Sequence, residues 1–426
     1  MLIGLLVATF LGFVVIGVPI AFAMGLASIA FLMAEGNLPL ALVAQRLFSG
    51  IDSFPLMAVP FFIFAGLLMD VGGISARLVA LAKALVGHIR GGLAMVVMVA
   101  EVFFSGISGS TTADISAIGS TLIPAMRRAG YTPAQAAAIV AAASSMGVLI
   151  PPCIMMVVLG SLVNISIGDL FLAGFLPSAV MAFGLMVLVY WQARRGILPP
   201  SEEKASRAKV FKAVKESTLA MLMPVIIFGG IIAGIATPTE IAAVGALYAV
   251  VVSVFIYKEV DWRGLGDVFE RTVVLTGAAL ALIGLATTFS WILASQQVPA
   301  GISNLMTSIG GGVTVFLLLS TVVFLLAGVF LEGLPALIVL MPILLPVAQT
   351  TGIDSLHYSI LAIGAVGVGI FLPPIGIGLL LSADIAGVGM GRVSRAFMPY
   401  LGVLLLSLVV IALVPWITTI VPDLLR

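Results

Sequence analysis

The sequence predicts an all-α polytopic membrane protein made of two inverted-topology repeats, each holding one re-entrant hairpin and one broken helix. Three observations predict it. Hydrophobic residues make up 62% of the 426 and charged residues 9%, with a mean hydropathy of +1.30, which excludes a water-soluble globular domain. A single gapless shift lays Gly106 on Gly328, Pro124 on Pro346, Gly130 on Gly352, Gly147 on Gly369 and Pro151-Pro152 on Pro373-Pro374, the mark of a duplicated unit. Those double prolines, in GVLIPP at 147–152 and GIFLPP at 369–374, lie inside long apolar runs, where proline removes a donor and breaks the helix.

The first repeat covers residues 1–195. Its apolar runs predict helices at 2–17, 19–34, 54–70, 133–163 (interrupted at GVLIPP) and 168–190. The opening MLIGLLVATFLGFVVIGV has no basic residue ahead of its apolar core and no small-residue cleavage site, so it reads as a span rather than a signal peptide. LPLALVAQRLFSG at 38–50 is amphipathic and suits an arm lying along the interface. The stretch 93–127 has a small, polar middle, SGISGSTTAD, which predicts a re-entrant hairpin. Residues 196–215 form a polar, basic linker.

The second repeat, 216–426, follows the same plan. Helices are predicted at 218–236, 238–257, 273–293, 358–386 (interrupted at GIFLPP) and 396–420, with an arm at 262–272 and a hairpin at 313–347 around GVFLEGLP. Five crossings per half is an odd number, so the second repeat starts from the opposite side and lies inverted.

Charge fixes the orientation. The linker region carries Arg194, Arg195, Lys204, Arg207, Lys209, Lys212 and Lys215, which places it in the cytoplasm. Counting spans then puts 17 of the 19 basic residues inside, leaving only Arg46 and Arg426 outside, provided both hairpins re-enter rather than cross. Both termini are expected in the periplasm and the chain in the bacterial inner membrane.

Several function classes fall away. The net charge of +1, without a basic block interleaved with aromatics, leaves no footprint for nucleic acid. Cys153 is the only cysteine, so no disulfide forms within the chain. No His/Cys/Asp grouping has catalytic spacing, and no GxxxxGK[ST] loop supplies an ATPase. His88 and His357 fall in predicted loops and are not read as metal ligands.

Irregular backbone at membrane depth survives where protein buries it or a watery cavity touches it, and its freed carbonyls then become ligands. In the first half, Gly147 and Val148 are expected to meet Ser105, Ser108, Gly109, Ser110 and Thr111 around one hard cation. In the second, Gly369 and Ile370 are expected to meet Gly328, Leu331 and Gly333. Oxygen-only shells suit sodium, and two such sites imply at least two ions. The helix starts after SGSTT and EGLP offer N–H groups to an anion. The candidate substrate contacts are Thr111, Thr112, Pro152, Glu332, Pro335, Pro374 and Asp384, for a carboxylate. Glu101 is assigned to a partner-facing or cavity position, Asp114 to capping the second hairpin helix, and Glu240 to an external helix start. The run AQAAAIVAAASS reads as close helix packing.

The repeat pair GVLIPP and GIFLPP, the hairpin strings SGISGSTTAD and FLEGLPA, and the length resemble the large membrane subunit of TRAP transporters, the DctM-like family, over essentially the whole chain. That resemblance implies an elevator mechanism, in which arms and outer helices form a scaffold while hairpins and broken helices move as a transport block. It further implies a four-helix small membrane subunit (DctQ-like), a periplasmic substrate-binding protein (DctP-like) and a sodium gradient as the energy source. FLEGLP departs from the expected pattern by carrying Glu332 in place of Asp. The rival reading is a stand-alone sodium-coupled di- or tricarboxylate symporter working without a binding protein.

Overall fold

The computed structural model describes residues 2–425 apart from 109, 202, 309–311 and 332, and the side chains of 107, 108 and 305–308 also lie outside the description. The described residues form twenty α-helices. In the first half, α1 (Leu2–Val15) and α2 (Ile20–Glu35) are joined at Gly17, whose φ of +86° favours glycine. The arm α3 (Ala41–Ile51) leads through a short turn to α4 (Ala58–Val71), and Pro55 keeps the two helices apart. Next come α5 (Ile74–Val86), the hairpin α6 (Leu93–Ser108) and α7 (Thr111–Arg128), and the broken pair α8 (Pro133–Gly147) and α9 (Ile154–Val163), then α10 (Ile167–Arg194). Helix α8 starts on a capping box, in which Thr132 and Gln135 satisfy each other's backbone N–H groups ahead of Pro133. Asn164, left-handed at φ 56°, ends α9.

The second half runs α11 (Arg207–Ile232), α12 (Pro238–Val250), α13 (Trp262–Ser295), α14 (Val298–Ser308), the helices α15 (Gly312–Leu331) and α16 (Gly333–Thr350), the broken pair α17 (Ser355–Gly369) and α18 (Ile377–Ala386), α19 (Met390–Leu413) and α20 (Trp416–Leu425). Both broken pairs have the same lengths, 15 residues then 10. Among the described residues, eight helical stretches are long and apolar enough to cross a bilayer.

Several sequence expectations are corrected. The arm expected at 262–272 and the span expected at 273–293 are one helix, α13, capped by Asp261; no proline interrupts it. The helix expected at 396–420 begins at Met390 and ends at Leu413, where Val414 leaves helical geometry ahead of Pro415. The basic linker is half helical, because Ser206 caps α11 and carries Lys209, Lys212 and Lys215 into its first turns. His357 is not in a loop: it lies buried in the first turn of α17, and its Nδ1 meets the Thr418 hydroxyl of α20 at 2.9 Å.

Small residues decide what sits at the centre. From Ala136 to Gly147 every residue of α8 is buried, and the same holds from His357 to Gly369 in α17, because Ala and Gly let neighbouring backbones approach. Helix α8 is enclosed by α6, α7, α18 and α19; helix α17 by α10, α15, α16 and α19. The hairpins also reach across the halves, α7 onto α18 and α16 onto α9. Outside this block, α13 runs about 50 Å along α2, α3 and α4, α12 packs on α4, and α11 on α5. Arg46 of the arm lies over the Trp291 ring at 4.9 Å, fastening α3 to α13.

The close packing of α15 on α17 tests this arrangement. A Cβ on Gly328 would stand 2.6 Å from the Val366 carbonyl and 3.1 Å from the Gly369 Cα, both backbone atoms, whereas one on Gly12 meets nothing within 4 Å. Gly328→Ala is therefore expected to cost about 1–3 kcal/mol and to lower the melting temperature of the purified protein in detergent, with Gly12→Ala unchanged or slightly higher. Equal melting of both variants would contradict the close contact of α15 with α17.

Candidate functional site

Both breaks fall at the double prolines, and the chain handles them alike. At the first, Leu149 N–H donates to Met146 O at 3.0 Å and Ile150 N–H to Gly147 O at 2.9 Å; at the second, Phe371 donates to Val368 O at 3.1 Å and Leu372 to Gly369 O at 2.9 Å. The Pro151–Pro152 and Pro373–Pro374 bonds are both cis. Each break lies against its own hairpin. A Cβ on Gly106 would meet the Pro151 carbonyl at 3.4 Å, and Gly328 abuts Gly369.

The first half gathers a buried polar cluster. Ser105 Oγ donates to Asp114 Oδ2 at 2.5 Å and lies 3.0 Å from Glu101 Oε1, while Ser144 Oγ donates to Glu101 Oε2 at 3.2 Å. Glu101, Ser105 and Ser144 are fully buried and Asp114 is 1% exposed. The place a Cβ of Gly147 would take is crowded by Ser105 Oγ, Asp114 Oδ2 and Glu101 Oε1, so only glycine lets α8 close over these oxygens. Two carboxylates sharing one hydroxyl away from water require compensating positive charge. The sequence supplies no lysine or arginine anywhere between Arg90 and Arg127 or between Arg128 and Arg194. A proton or a small cation fits the all-oxygen donor set.

This cluster joins some predicted residues and adds others. Ser105 and Gly147 meet as expected. Val148 is buried beside them, with its side chain against Gly367 of α17. Ser110 is the N-cap of α7, and its hydroxyl lies 3.1 Å from that of Thr112; Thr111 is buried one residue into the helix. Gly109 and the side chain of Ser108 lie outside the described residues. One assignment is corrected. Glu101 faces neither a partner nor an open cavity but is sealed between α6 and α8. Asp114 stands in the first turn of α7, and its carboxylate also takes the Ser105 hydroxyl of the neighbouring helix. Ser144, hidden in an alanine run, went unassigned.

A signal for all of them was present in the repeat. The shift that aligns the double prolines lays Glu101, Ser105, Asp114 and Ser144 on Val323, Ala327, Ala336 and Val366. Only one copy is polar at these four positions. In the second half Gly328 and Gly369 touch, and Gly333 lies against the side chains of Ile370 and Met155, so this contact is built from backbone and apolar groups. The Ile370 carbonyl accepts the Gly378 N–H at 3.1 Å. Leu331 closes α15, and Glu332 lies outside the described residues.

The remaining substrate candidates separate by burial. Pro152 and Pro335 are buried, Pro335 in the first turn of α16. Pro374 and Asp384 are exposed, with Asp384 near the C-terminal end of α18. The starts of α7 and α16 present helix N-termini within the central block, the physical basis for holding an anion there. Glu240 closes a capping box with Thr237 at the start of α12, as its helix-start assignment requires.

The family profile described as Tripartite ATP-independent periplasmic transporter, DctM component, matches residues 7–417. The sialic acid TRAP transporter large permease protein SiaM of Vibrio cholerae is 37% identical, with 97% of each chain covered. The C4-dicarboxylate TRAP transporter large permease protein DctM of the same organism is 35% identical over 100% of this chain and 98% of its own. The isethionate TRAP transporter permease protein DctMQ of Oleidesulfovibrio alaskensis is 37% identical over 95% of this chain, which spans 64% of that relative's length. Among solved structures, the Alcanivorax borkumensis YdaH transporter, described as having an unusual topology, matches with a TM-score of 0.62 at 16% identity over 87% of each chain, a likeness of fold alone.

Removing the shared hydroxyl tests the cluster. Ser105→Ala leaves two buried carboxylates short of a donor and is expected to destabilise the protein by about 1–3 kcal/mol, read as a lower melting temperature. Ser116→Ala, which removes an exposed hydroxyl bonded within its own helix, is expected to change little. Matching values for the two would contradict the cluster.

Proposed function

The chain belongs to the DctM component family of tripartite ATP-independent periplasmic transporters, and on that premise we propose that it carries an organic acid inward, coupled to sodium, as the large membrane subunit of such a system. It is a multi-pass membrane protein of a secondary transporter rather than an enzyme. The relatives named for sialic acid, C4-dicarboxylates and isethionate support an organic anion as cargo. The fused name DctMQ of one relative, longer than this chain, supports a small membrane subunit as partner. A periplasmic substrate-binding protein completes the system in this reading.

The observation that carries sodium coupling is the buried oxygen cluster of Glu101, Ser105, Asp114 and Ser144. Sodium would supply positive charge beside these carboxylates, and its ligands would come from α6, α7 and α8 together. Binding would therefore clamp the hairpin to the broken helix. The second ion belongs to the backbone site of Gly328, Gly333, Gly369 and Ile370. With both hairpins fixed, the helix N-termini at Thr111 and Gly333 stand ready for the anion, and a cation bound close by favours the same charge.

In the elevator reading, α6–α9 and α15–α18 travel as one block against a scaffold of α1–α4 and α11–α13. The cross-packing of α7 on α18 and of α16 on α9 supports a single moving body. The matched lengths of the two broken pairs support inverted repeats, with both termini in the periplasm.

The deciding experiment is uptake of labelled organic acids into proteoliposomes holding this chain and the small subunit, with the binding protein outside. Uptake is expected under an inward sodium gradient, to vanish when potassium replaces sodium, and to vanish when either partner is omitted. Uptake by the chain alone would establish the stand-alone symporter instead, and uptake indifferent to sodium would overturn the coupling. Glu101→Gln, which removes one charged ligand worth about 1.5 kcal/mol or more, is expected to raise the sodium concentration for half-maximal uptake about tenfold.

A further inference from the structure

A cleft of about 680 Å³ opens between the first hairpin and the α10–α11 pair. Phe103 and Gly106 of α6, Pro151 at the break, Phe175 and Phe183 of α10 and Phe228 of α11 are among its walls. Among the described residues no charged side chain lines it. The Ser178 hydroxyl, the one polar side chain among its described walls, donates to the Phe175 carbonyl at 2.8 Å. Small residues hold the space open: Gly106 on one side, Ala179 and Ala182 on the other.

Its position selects an occupant. The rim continues the surface that faces the bilayer, where Phe183 is 68% and Val225 61% exposed, whereas Met98 and Ile150 at the inner end are 0% and 6% exposed. Along α10 the cleft reaches from Phe175 to Met186, about 16 Å at 1.5 Å per residue, close to half of a hydrocarbon core about 30 Å thick. Residues 175–186 are the middle of α10 (Ile167–Arg194), so the cleft lies at the depth of the bilayer centre, where acyl chains end. We infer that this cleft is a binding site for one acyl chain of a bilayer phospholipid. The described walls offer water little beyond the Ser178 hydroxyl and the backbone at the break, and an extended peptide segment would bury backbone groups without hydrogen bonds. An acyl chain leaves nothing unsatisfied. Seated against Gly106 and Pro151, it lies between the hairpin and helices α10 and α11, so its presence bears on any movement of one against the other. This inference rests on the chain's membrane setting and not on sodium coupling.

The test uses the full chain with its small subunit in vesicles of phosphatidylethanolamine and phosphatidylglycerol, doped with a phospholipid carrying a photoreactive diazirine near the end of one acyl chain. After irradiation, adducts are located by peptide mass spectrometry. Adducts are expected on Met98, Phe103 and Ile150, besides those on outward residues such as Phe255 and Phe269. Ala182→Phe, which fills the cleft, is expected to reduce the inner adducts to background and leave the outward ones unchanged. Ala179→Phe serves the same purpose should the first variant fail to elute as a monodisperse protein. Outward adducts without inner ones, inner adducts undiminished by filling, or inner adducts that arise only when the small subunit is omitted would each overturn the inference. The last result assigns the cleft to a helix of that subunit.

Discussion

Backbone that leaves the helix inside a bilayer has no water to satisfy it, and the rest of this structure depends on how that constraint is met. The chain departs from helix at two double prolines, and at both the loosened backbone is tied by the same pair of short-range hydrogen bonds, with a glycine-bearing hairpin laid against it. The hairpins owe their place to the breaks. Gly328 fits there because no side chain separates it from the broken segment, and Gly106 faces the Pro151 carbonyl at its own break. Cross-packing of each hairpin onto the opposite broken helix then joins four elements from each half into one body.

The two halves solve one backbone problem with different chemistry. Where the first half places Glu101, Ser105, Asp114 and Ser144, the second places Val323, Ala327, Ala336 and Val366. The first contact is thus electrostatically demanding and tunable by a cation or proton, and the second depends on close approach of glycines. Gly147 joins these two kinds of constraint: it closes α8 over the acidic cluster, and it accepts the hydrogen bond that begins the break. In the sodium reading this asymmetry gives the two ions different electrostatic weight, the first neutralising charge and the second acting on carbonyl dipoles alone.

Much of the architecture was legible because it rests on residues with narrow conformational meaning. Proline pairs and small polar hairpin strings act locally, so their consequences are visible without tertiary information. What escaped depends on contacts between distant segments. Ser144 reads as one small residue in an alanine run until α8 is packed on α6, which turns its hydroxyl to Glu101. The continuity of α13 escaped because polarity changes sharply at 272, although only a breaker such as Pro55 would have divided the helix. At the other end, Pro415 carried the signal for separating α19 from α20, but hydropathy runs straight through it.

The central claim is that the oxygen cluster between α6, α7 and α8 binds sodium, and binding to the folded state alone must raise stability by mass action. The most direct measurement is the melting temperature of the purified chain in sodium chloride against potassium chloride at equal ionic strength, with Asp114→Asn alongside. The account predicts a rise in sodium that grows with concentration, worth about 2.7 kcal/mol at a hundredfold excess over the dissociation constant, and a much smaller rise for the variant. Identical melting in the two salts, or an undiminished sodium effect in Asp114→Asn, would contradict it.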